Sequence, residues 1–161
     1  MIEFNIRPLA TTDRDWLKAT LIEHWTSYRI ASRGHLVDAS QLPGIVAVAG
    51  EQCLGLLTYQ IVGHECEIVT LNSFREGSGV GTAVMNAAIA AARSAGCRRL
   101  WLITTNDNID AIRFYARLGL RLIKIHHDAI TESRRLKPTI PATGCYGLPI
   151  RDEIEFEVML E

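Results

Sequence analysis

The sequence predicts one α+β domain built on a mixed sheet. In the first half, strand candidates are joined by short glycine turns, which indicates antiparallel pairing. In the second half, strands and helices alternate. The chain has 161 residues, of which 48% are hydrophobic and 22% charged. This length and composition suffice for a buried core in a single globular domain. We see no internal repeat and no linker.

The first half begins with a strand candidate at 2–9 that ends at Pro8. A helix follows, with Thr12-Asp13 as its N-cap and apolar residues at helical spacing, namely Trp16, Leu17, Leu21 and Ile22. Residues 25–43 are mixed in character and are predicted to form a second helix and a loop. Three strand candidates then follow at 45–49, 53–62 and 65–72, joined at Gly50-Glu51 and Gly63-His64.

The second half starts with an alanine-rich helix predicted at 80–94. Arg93 in its last turn and Gly96 just beyond it are typical of a helix end. A short buried strand is predicted at 100–104. A second helix at 109–118 is capped by Asn108 and ends at Gly119, and a strand at 120–125 follows it.

The C-terminal segment alternates between apolar and acidic residues. The apolar set is Ile154, Phe156, Val158 and Leu160, and the acidic set is Glu153, Glu155, Glu157 and Glu161. This period of two predicts a half-buried strand with an acidic outer face. Such a strand fits either a charged free edge or the seam of a homodimer. Before it lies a long irregular stretch with three prolines and two glycines, the kind of segment that is often functional.

Composition excludes several classes of protein. The formal net charge is -1, so nothing drives the chain toward nucleic acid or an anionic membrane. No apolar run reaches the ~20 residues of a membrane span, and residues 1–5 do not resemble a signal peptide. The four cysteines show no C-x-x-C pair, as expected of reduced thiols. We therefore expect a cytoplasmic protein.

The run 75–82 joins a strand to a helix and contains Gly77, Gly79 and Gly81. Alternate glycines permit positive φ angles and a close ligand approach. The free N–H groups of the following helix turn can bind phosphate or pyrophosphate. Thr82-Ala83 follows the last glycine where a P-loop requires Lys and then Ser or Thr. Thr82 also occupies the third-glycine position of a dinucleotide fingerprint. The pattern thus favours pyrophosphate binding over ATP or NAD chemistry.

A second motif spans 106–120 and reads NDNIDAIRFYARLGL. It resembles the N-x-x-A-x-x-F-Y-x-x-x-G-[F/L] signature of GNAT-family N-acetyltransferases. The matching positions are Asn108, Ala111, Phe114, Tyr115, Gly119 and Leu120. The glycine run resembles the same family's [Q/R]-x-x-G-x-[G/A] loop at Gly79 and Gly81. Glu76 departs from it, because it stands where the family has Gln or Arg.

The resemblance implies a GNAT-like fold and acetyl-CoA as cosubstrate. The glycine run would bind the CoA pyrophosphate, the α-helical motif would contact the cofactor arm, and the strand before the glycine run would pair with the pantetheine amides. The implied cofactor-binding residues are Val69, Thr70, Leu71, Glu76, Gly77, Ser78, Gly79, Val80, Gly81, Thr82, Asn106, Asn108, Ala111 and Phe114.

Two residues are predicted to carry the chemistry. Tyr115 would lie beside the thioester sulfur and stabilise the leaving thiolate, either by a hydrogen bond or by acid catalysis. Glu67 is the candidate base for the amine, directly or through water, although ordered water alone is an alternative. His126 and His127 are adjacent on a strand and point to opposite faces, so we expect no metal site.

The predicted function is therefore N-acetyl transfer from acetyl-CoA to a primary amine of a small molecule or peptide, by direct attack in a ternary complex. A non-catalytic CoA-binding or regulatory module is an alternative, and so is a phosphate-ligand binding protein unrelated to CoA. By the resemblance, acceptor specificity comes from the region after the first helix and from the long segment before the last strand.

Overall fold

The computed structural model describes residues 2–161. Its helices are α1 (Arg14–Trp25), α2 (Val80–Ser94), α3 (Ile109–Arg117) and α4 (Ala129–Leu136). Its strands are β1 (Asn5–Pro8), β2 (Arg29–Ser32), β3 (His35–Asp38), β4 (Gly44–Ala49), β5 (Gln52–Val62), β6 (Glu65–Ser73), β7 (Arg99–Thr105), β8 (Arg121–His126) and β9 (Glu153–Met159).

Seven of these strands form one sheet in the order β1-β4-β5-β6-β7-β9-β8. Only the β6–β7 pair is parallel, and the other pairs are antiparallel. The mixed sheet and the α+β class are thus confirmed. Of the two alternatives for the C-terminal strand, the free edge is wrong, because β9 inserts between β7 and β8 and leaves β8 at the edge.

The segment 25–43 forms a β-hairpin where a second helix was expected. Strands β2 and β3 pair with Ser32 opposite His35, so the connecting turn has only two residues, Arg33 and Gly34. Both have positive φ, 49° and 78°. This is the geometry of a two-residue hairpin turn, whose twist matches that of the strands. Four residues per strand give too short an alternation to distinguish from a helix.

Helix α4 was also missed, because it lies in a polar part of the chain. Ile130 and Ser133 are its buried residues, and tertiary contacts supply what a short polar helix lacks in intrinsic stability. Arg134 of this helix donates hydrogen bonds to the carbonyls of Pro141 and Ile150 at 2.7 and 2.8 Å. These hydrogen bonds from Arg134 connect the irregular segment 138–149 and the residue after it to this helix.

The sheet separates two apolar clusters. The larger one lies on the side of α2 and α3, and the smaller one packs under α1 and includes Leu17, Leu21, Val46 and Leu56. Helix α2 has the bounds that the sequence predicts. Because α2 packs against β4, β5 and β6, its N-terminus is held at the end of β6.

The N-terminus of α2 packs directly against Gly55 of β5, where there is no room for a side chain. We predict that Gly55→Ala destabilises the protein by about 1–3 kcal/mol through overpacking. A Cβ at this position would lie 2.3 Å from Val80 Cγ1, and Val80 is the fully buried first residue of α2. Urea unfolding measures the loss. The double variant Gly55→Ala/Val80→Ala should lose less stability than the two single variants together, because the clash is removed. Additive losses would contradict this steric account.

Candidate active site

One cavity of about 1230 Å³ crosses the middle of the sheet. At one end it is lined by the loop between β6 and α2 (residues 75–82, here the glycine loop) and by one face of α3. At the other end it is lined by the hairpin of β2 and β3, by Ile130 of α4 and by Glu153 of β9. We call these the glycine-loop end and the hairpin end. Thirteen of the sixteen predicted site residues line this cavity.

The sheet is split where the cavity crosses it. The pairing of β6 with β7 ends at Ile68 opposite Leu102, although both strands continue beyond this point. On its other side β6 stays paired with β5 as far as Ser73, with an irregularity at Val69, the one residue of β6 without a direct partner on β5. Such a bulge bends the strand and leaves its extra residue out of the ladder. Strand β6 is therefore unpaired on its β7 side over Val69–Leu71, the part of the chain that the family resemblance assigns to cofactor binding.

The glycine loop ends in free backbone N–H groups. Gly77 and Gly79 have φ values of 71° and 81°, and Gly79 is the N-cap of α2 without any side-chain cap. The first hydrogen bond of α2 runs from the Ala83 N–H to the Gly79 carbonyl at 3.0 Å. The backbone N–H groups of the first turn, before Ala83, have no partner within the helix and are available to a ligand. The helix dipole favours an anionic ligand there.

Gly81 has a different role from the other two glycines. Its φ is not positive, but a Cβ there would lie 3.3 Å from the Phe114 ring. Helix α3 therefore approaches α2 closely at this point, beside the cavity. Asn108 caps α3, with its Oδ1 accepting from the Ala111 N–H at 3.3 Å. The Asn108 side chain also lines the cavity, which leaves its amide NH₂ as a donor for a ligand.

Tyr115 lies in the middle of the cavity lining with only 9% of its surface exposed. Its ring centroid is 5.5 Å from that of Phe114 and 5.7 Å from that of Phe156. Burial raises the pKa of its phenol to about 12, so the group stays protonated and is a hydrogen-bond donor. No described residue bonds this hydroxyl, and it is not enclosed in the core, so it opens into the cavity.

Glu67 lies on β6 just before the split, opposite Trp101 of β7. Its side chain is 8% exposed and lines the hairpin end of the cavity. Gln60 Nε2 donates to its Oε1 at 2.7 Å, and Ser32 Oγ lies 3.4 Å from its Oε2. Burial raises the pKa of the Glu67 carboxyl in spite of these bonds. A carboxylate with a raised pKa is a better match for proton transfer near neutral pH.

The acidic face of β9 is buried, which corrects the prediction of an acidic outer face. Glu153 is 2% and Glu155 5% exposed, because the hairpin covers this part of the sheet. Glu155 contacts Arg99, His126 Nε2 (2.9 Å) and Arg33 (3.7 Å). These partners lower the pKa of its carboxyl. The alternating pattern identified the strand, but the hairpin that covers it was not predicted.

Glu153 is the acidic residue of β9 that reaches the cavity, and the sequence analysis did not select it. Its Oε1 accepts from the Arg33 N–H at 3.1 Å, and its Oε2 lies 3.3 Å from Ser133 Oγ. Burial raises the pKa of its carboxyl. The signal available in the sequence was its place at the start of the strand, next to the segment predicted to shape acceptor specificity.

Three predicted cofactor residues do not line the cavity. Asn106 donates to the Pro149 carbonyl at 2.9 Å and accepts from the Arg151 and Asp152 N–H groups at 2.9 and 3.0 Å. The Asn106 side chain thus holds the chain before β9 and does not line the cavity. Val80 is buried in the core, and Ser78 Oγ donates to the Arg75 carbonyl within the loop.

The two adjacent histidines point in different directions, as predicted. His126 contacts Glu155, whereas His127 is exposed and 3.9 Å from Asp152. Within residues 2–161, no group of three or more His, Cys, Asp or Glu is arranged to hold a metal ion. No helix of the described part of the chain has the length and apolarity to cross a membrane.

The split sheet, the glycine loop and the capped α3 helix define an acyltransferase scaffold. The profile of the Acetyltransferase (GNAT) family matches residues 11–120, and the chain belongs to this family. The uncharacterized protein YdhI of Bacillus subtilis (strain 168) is 39% identical over 141 residues, which cover 86% of this chain and 88% of YdhI.

Solved structures agree on the fold. The IAA acetyltransferase from Bacillus cereus ATCC 14579 superposes with a TM-score of 0.75 at 18% identity, over 98% of this chain and 100% of that one. A Bacillus subtilis acetyltransferase, solved in complex with CoA, gives a TM-score of 0.71 at 17% identity, over 99% of this chain and 100% of that one.

Proposed function

We propose that this protein transfers an acetyl group from acetyl-CoA to a primary amine by direct attack in a ternary complex. The observation that carries this proposal is the single cavity, which joins the glycine loop, the split between β6 and β7, the Tyr115 hydroxyl and the Glu67 carboxylate. None of the four cysteines lines this cavity, which favours direct transfer over a thioester on the enzyme.

The glycine-loop end fits the anionic part of acetyl-CoA. The free N–H groups at the start of α2 suit a pyrophosphate. Arg75, Arg113 and Arg117 line the same end and are exposed, so they add positive charge around the phosphates. Glu76 lines it as well and is exposed, so its carboxylate can turn toward water. The CoA complex of the B. subtilis acetyltransferase, which has the same fold, supports this assignment.

The split in the sheet fits the thin, amide-bearing arm of CoA. Unpaired backbone groups of β6 beyond Ile68 can bond the pantetheine amides in the way a neighbouring strand would. We assign the stabilisation of the oxyanion to a backbone N–H of β6 at the Val69 bulge, where the ladder to β5 is interrupted. Removal of one preorganised oxyanion-hole donor costs about 2.7–4 kcal/mol in a related acyl transfer.

The chemical step needs one base and one donor. The amine arrives as an ammonium and gives a proton to the Glu67 carboxylate. Its nitrogen then forms a bond to the acetyl carbon, and the C–S bond breaks as the tetrahedral intermediate collapses. The electron pair leaves on the CoA sulfur, where the Tyr115 hydroxyl stabilises the thiolate by a hydrogen bond. The nitrogen gives its second proton to water, which leaves a neutral amide. A phenol with a pKa of about 12 suits hydrogen bonding better than full proton transfer to a thiolate.

We expect Tyr115→Phe to lower kcat for acetyl transfer by about 10²-fold, at the lower end of the range for such catalysis. The phenyl ring keeps the packing with Phe114 and Phe156, so CoA affinity measured by calorimetry should be unchanged. The assay follows CoA release with acetyl-CoA and a panel of amines that includes amino acids, polyamines, aminoglycosides and peptide N-termini.

Tyr59→Phe is the matched control, because Tyr59 packs against the same core and does not line the cavity. This variant should keep full activity. Unchanged transfer by Tyr115→Phe across the pH range would remove the proposed role of Tyr115. CoA binding without transfer to any amine would favour a non-catalytic CoA-binding module, and binding no tighter than that of ADP would contradict the assignment of CoA.

A further inference from the structure

The hairpin end of the cavity contains two buried carboxylates with no cation beside them. Glu67 and Glu153 both line it, at 8% and 2% exposure. Within residues 2–161, no side-chain nitrogen of a Lys, Arg or His lies within 4.0 Å of either carboxylate. Arg33 is near enough to favour the ionised form of both carboxyls, as is His35 for Glu67 and His126 for Glu153. The Arg33 guanidinium and the His126 ring, however, contact Glu155, at 3.7 and 2.9 Å.

Glu155 lies on the same face of the sheet, but its negative charge is compensated by cationic side chains. It contacts two arginines and a histidine and does not line the cavity. The two carboxylates that do line the cavity have only neutral hydrogen-bond donors. A buried carboxylate without a counter-charge is unfavourable. A cationic ligand in the cavity would supply the missing positive charge to both Glu67 and Glu153.

Glu67 and Glu153 are held by consecutive residues of the hairpin turn. Ser32 Oγ contacts Glu67 Oε2 at 3.4 Å, and the Arg33 N–H donates to Glu153 Oε1 at 3.1 Å. Standard covalent dimensions between Ser32 Oγ and the Arg33 nitrogen then limit the separation of the two carboxylates to about 11 Å. This span suits two charges on one small molecule.

The remaining side chains at this end are mostly aliphatic. They include Ile30, Val37, Ile130, Ile140 and Ile150. An independent sign that the same cavity receives a ligand is the Tyr115 hydroxyl, which belongs to a residue nine-tenths buried and has no partner among the described residues. The hairpin end thus combines two negative charges with an apolar surface.

We propose that the acceptor is a small aliphatic diamine, with Glu67 receiving the ammonium that reacts and Glu153 binding the second, distal ammonium. This assignment rests on the proposed acetyl transfer and specifies its acceptor. Glu153 is then a specificity-determining residue, and the aliphatic side chains contact the carbon chain between the two nitrogens. A monoamine fills the reacting position but leaves Glu153 uncompensated.

Lys137 is the one lysine that lines the cavity. Its positive charge would favour an anionic ligand rather than a diamine. Its Nζ donates to the Trp25 carbonyl at 2.9 Å, at the C-terminal end of α1, where a cation is stabilised by the helix dipole. Burial lowers the pKa of Lys137. An acceptor with an anionic distal group would use Lys137 instead, and the test includes such a molecule.

Three acceptors of equal chain length test the assignment: 1,5-diaminopentane, n-pentylamine and 5-aminopentanoate. They offer the same reacting amine with a cationic, neutral or anionic distal end. The diamine should have a kcat/KM at least 10-fold above that of pentylamine, mainly through KM, and aminopentanoate should be the poorest. Glu153→Gln should abolish the preference for the diamine, so that the ratio of kcat/KM for diaminopentane to that for pentylamine falls to about 1.

Glu157→Gln is the matched control, because Glu157 lies on the same face of β9, contacts Arg99 and does not line the cavity. It should keep the preference. Equal rates for diamine and pentylamine, a preference for aminopentanoate, or a diamine preference that survives Glu153→Gln would each overturn the assignment. If Glu153→Gln does not fold, Glu153→Asp replaces it and should lower the preference.

Calorimetric titration of the CoA-loaded protein with 1,5-diaminopentane separates this inference from the proposed function. Diamine binding that weakens in Glu153→Gln, without transfer by the wild-type protein, would support the diamine site and contradict acetyl transfer. Transfer to other amines without diamine binding would support acetyl transfer and overturn the diamine site.

Discussion

Glu67→Gln should lower kcat by about 10²–10⁴-fold at neutral pH, the range expected when a general base is removed. Glutamine keeps the acceptor oxygen for the Gln60 amide but cannot take a proton from the acceptor ammonium. The wild-type rate should rise as the pH passes the pKa of Glu67, which burial places above that of an ordinary glutamate.

The pH profile distinguishes a base from a residue that only positions the substrate. In Glu67→Gln, transfer depends on the small fraction of free amine, so its rate should keep rising toward the amine pKa, near 10.4 for a lysine-like amine. The difference in transfer rate between the wild type and Glu67→Gln should therefore become smaller at high pH. A deficit that is constant from pH 6 to pH 9.5 would show that Glu67 acts only in positioning.

Stability gives the second readout for this variant. Because the folded-state pKa of Glu67 is raised, the carboxyl favours the folded state at low pH, and this contribution is lost as the pH rises through the folded pKa. Glu67→Gln should thus be no less stable than the wild type at pH 8. Glu65→Gln is the activity control, since Glu65 is an exposed residue on the same face of β6 that contacts Arg99 at 2.8 Å. It should keep wild-type kcat.

Phe156→Ala should lower the free energy of unfolding by about 3–5 kcal/mol, as for other large-to-small changes in a core. Phe156 is among the largest fully buried side chains, and it lies on β9 opposite Leu102 of β7 and Leu122 of β8. Its removal leaves a cavity beside the Tyr115 ring, which is 5.7 Å away. Chemical denaturation at neutral pH measures the loss.

Phe156→Leu restores part of the volume and should recover about half of that loss. Met159→Ala is the control on the same strand, because Met159 is 59% exposed and such surface changes usually stay within about 0.5 kcal/mol. A loss below about 1 kcal/mol in Phe156→Ala would mean that Phe156 does not pack between β7 and β8 as described here.

Local patterns predicted most of the sheet and both central helices. The bounds of α2 agree with the prediction, because an alanine-rich apolar face, Arg93 and Gly96 all act within the helix itself. Helix α3 was predicted for the same reason, with Asn108 as its cap. These local signals also located the glycine loop and Tyr115, since both depend on residues close together in sequence.

The hairpin of β2 and β3 and helix α4 were not predicted, and they line the hairpin end of the cavity. Each hairpin strand has only four residues, so its stability comes from contacts with distant parts of the chain. Arg33 shows this, because it contacts Glu153 and Glu155 about 120 residues away in sequence. No window of local sequence contains such a contact.

Asn106 and Glu153 are two further residues whose surroundings local sequence patterns could not predict. Asn106 lies inside the motif that marks the family, yet the chain before β9 occupies its amide. Glu153 is part of a regular acidic pattern that predicts exposure, yet the hairpin buries it at the cavity.

By itself, the sequence determined the α+β class, the resemblance to the GNAT family, the anion-binding loop and the tyrosine beside it. Only the tertiary structure decided that Glu67 and Glu153 are buried together without a cation. The physical reason is that helix caps and glycine turns depend on neighbouring residues, whereas burial and charge compensation depend on what distant segments bring to the same place.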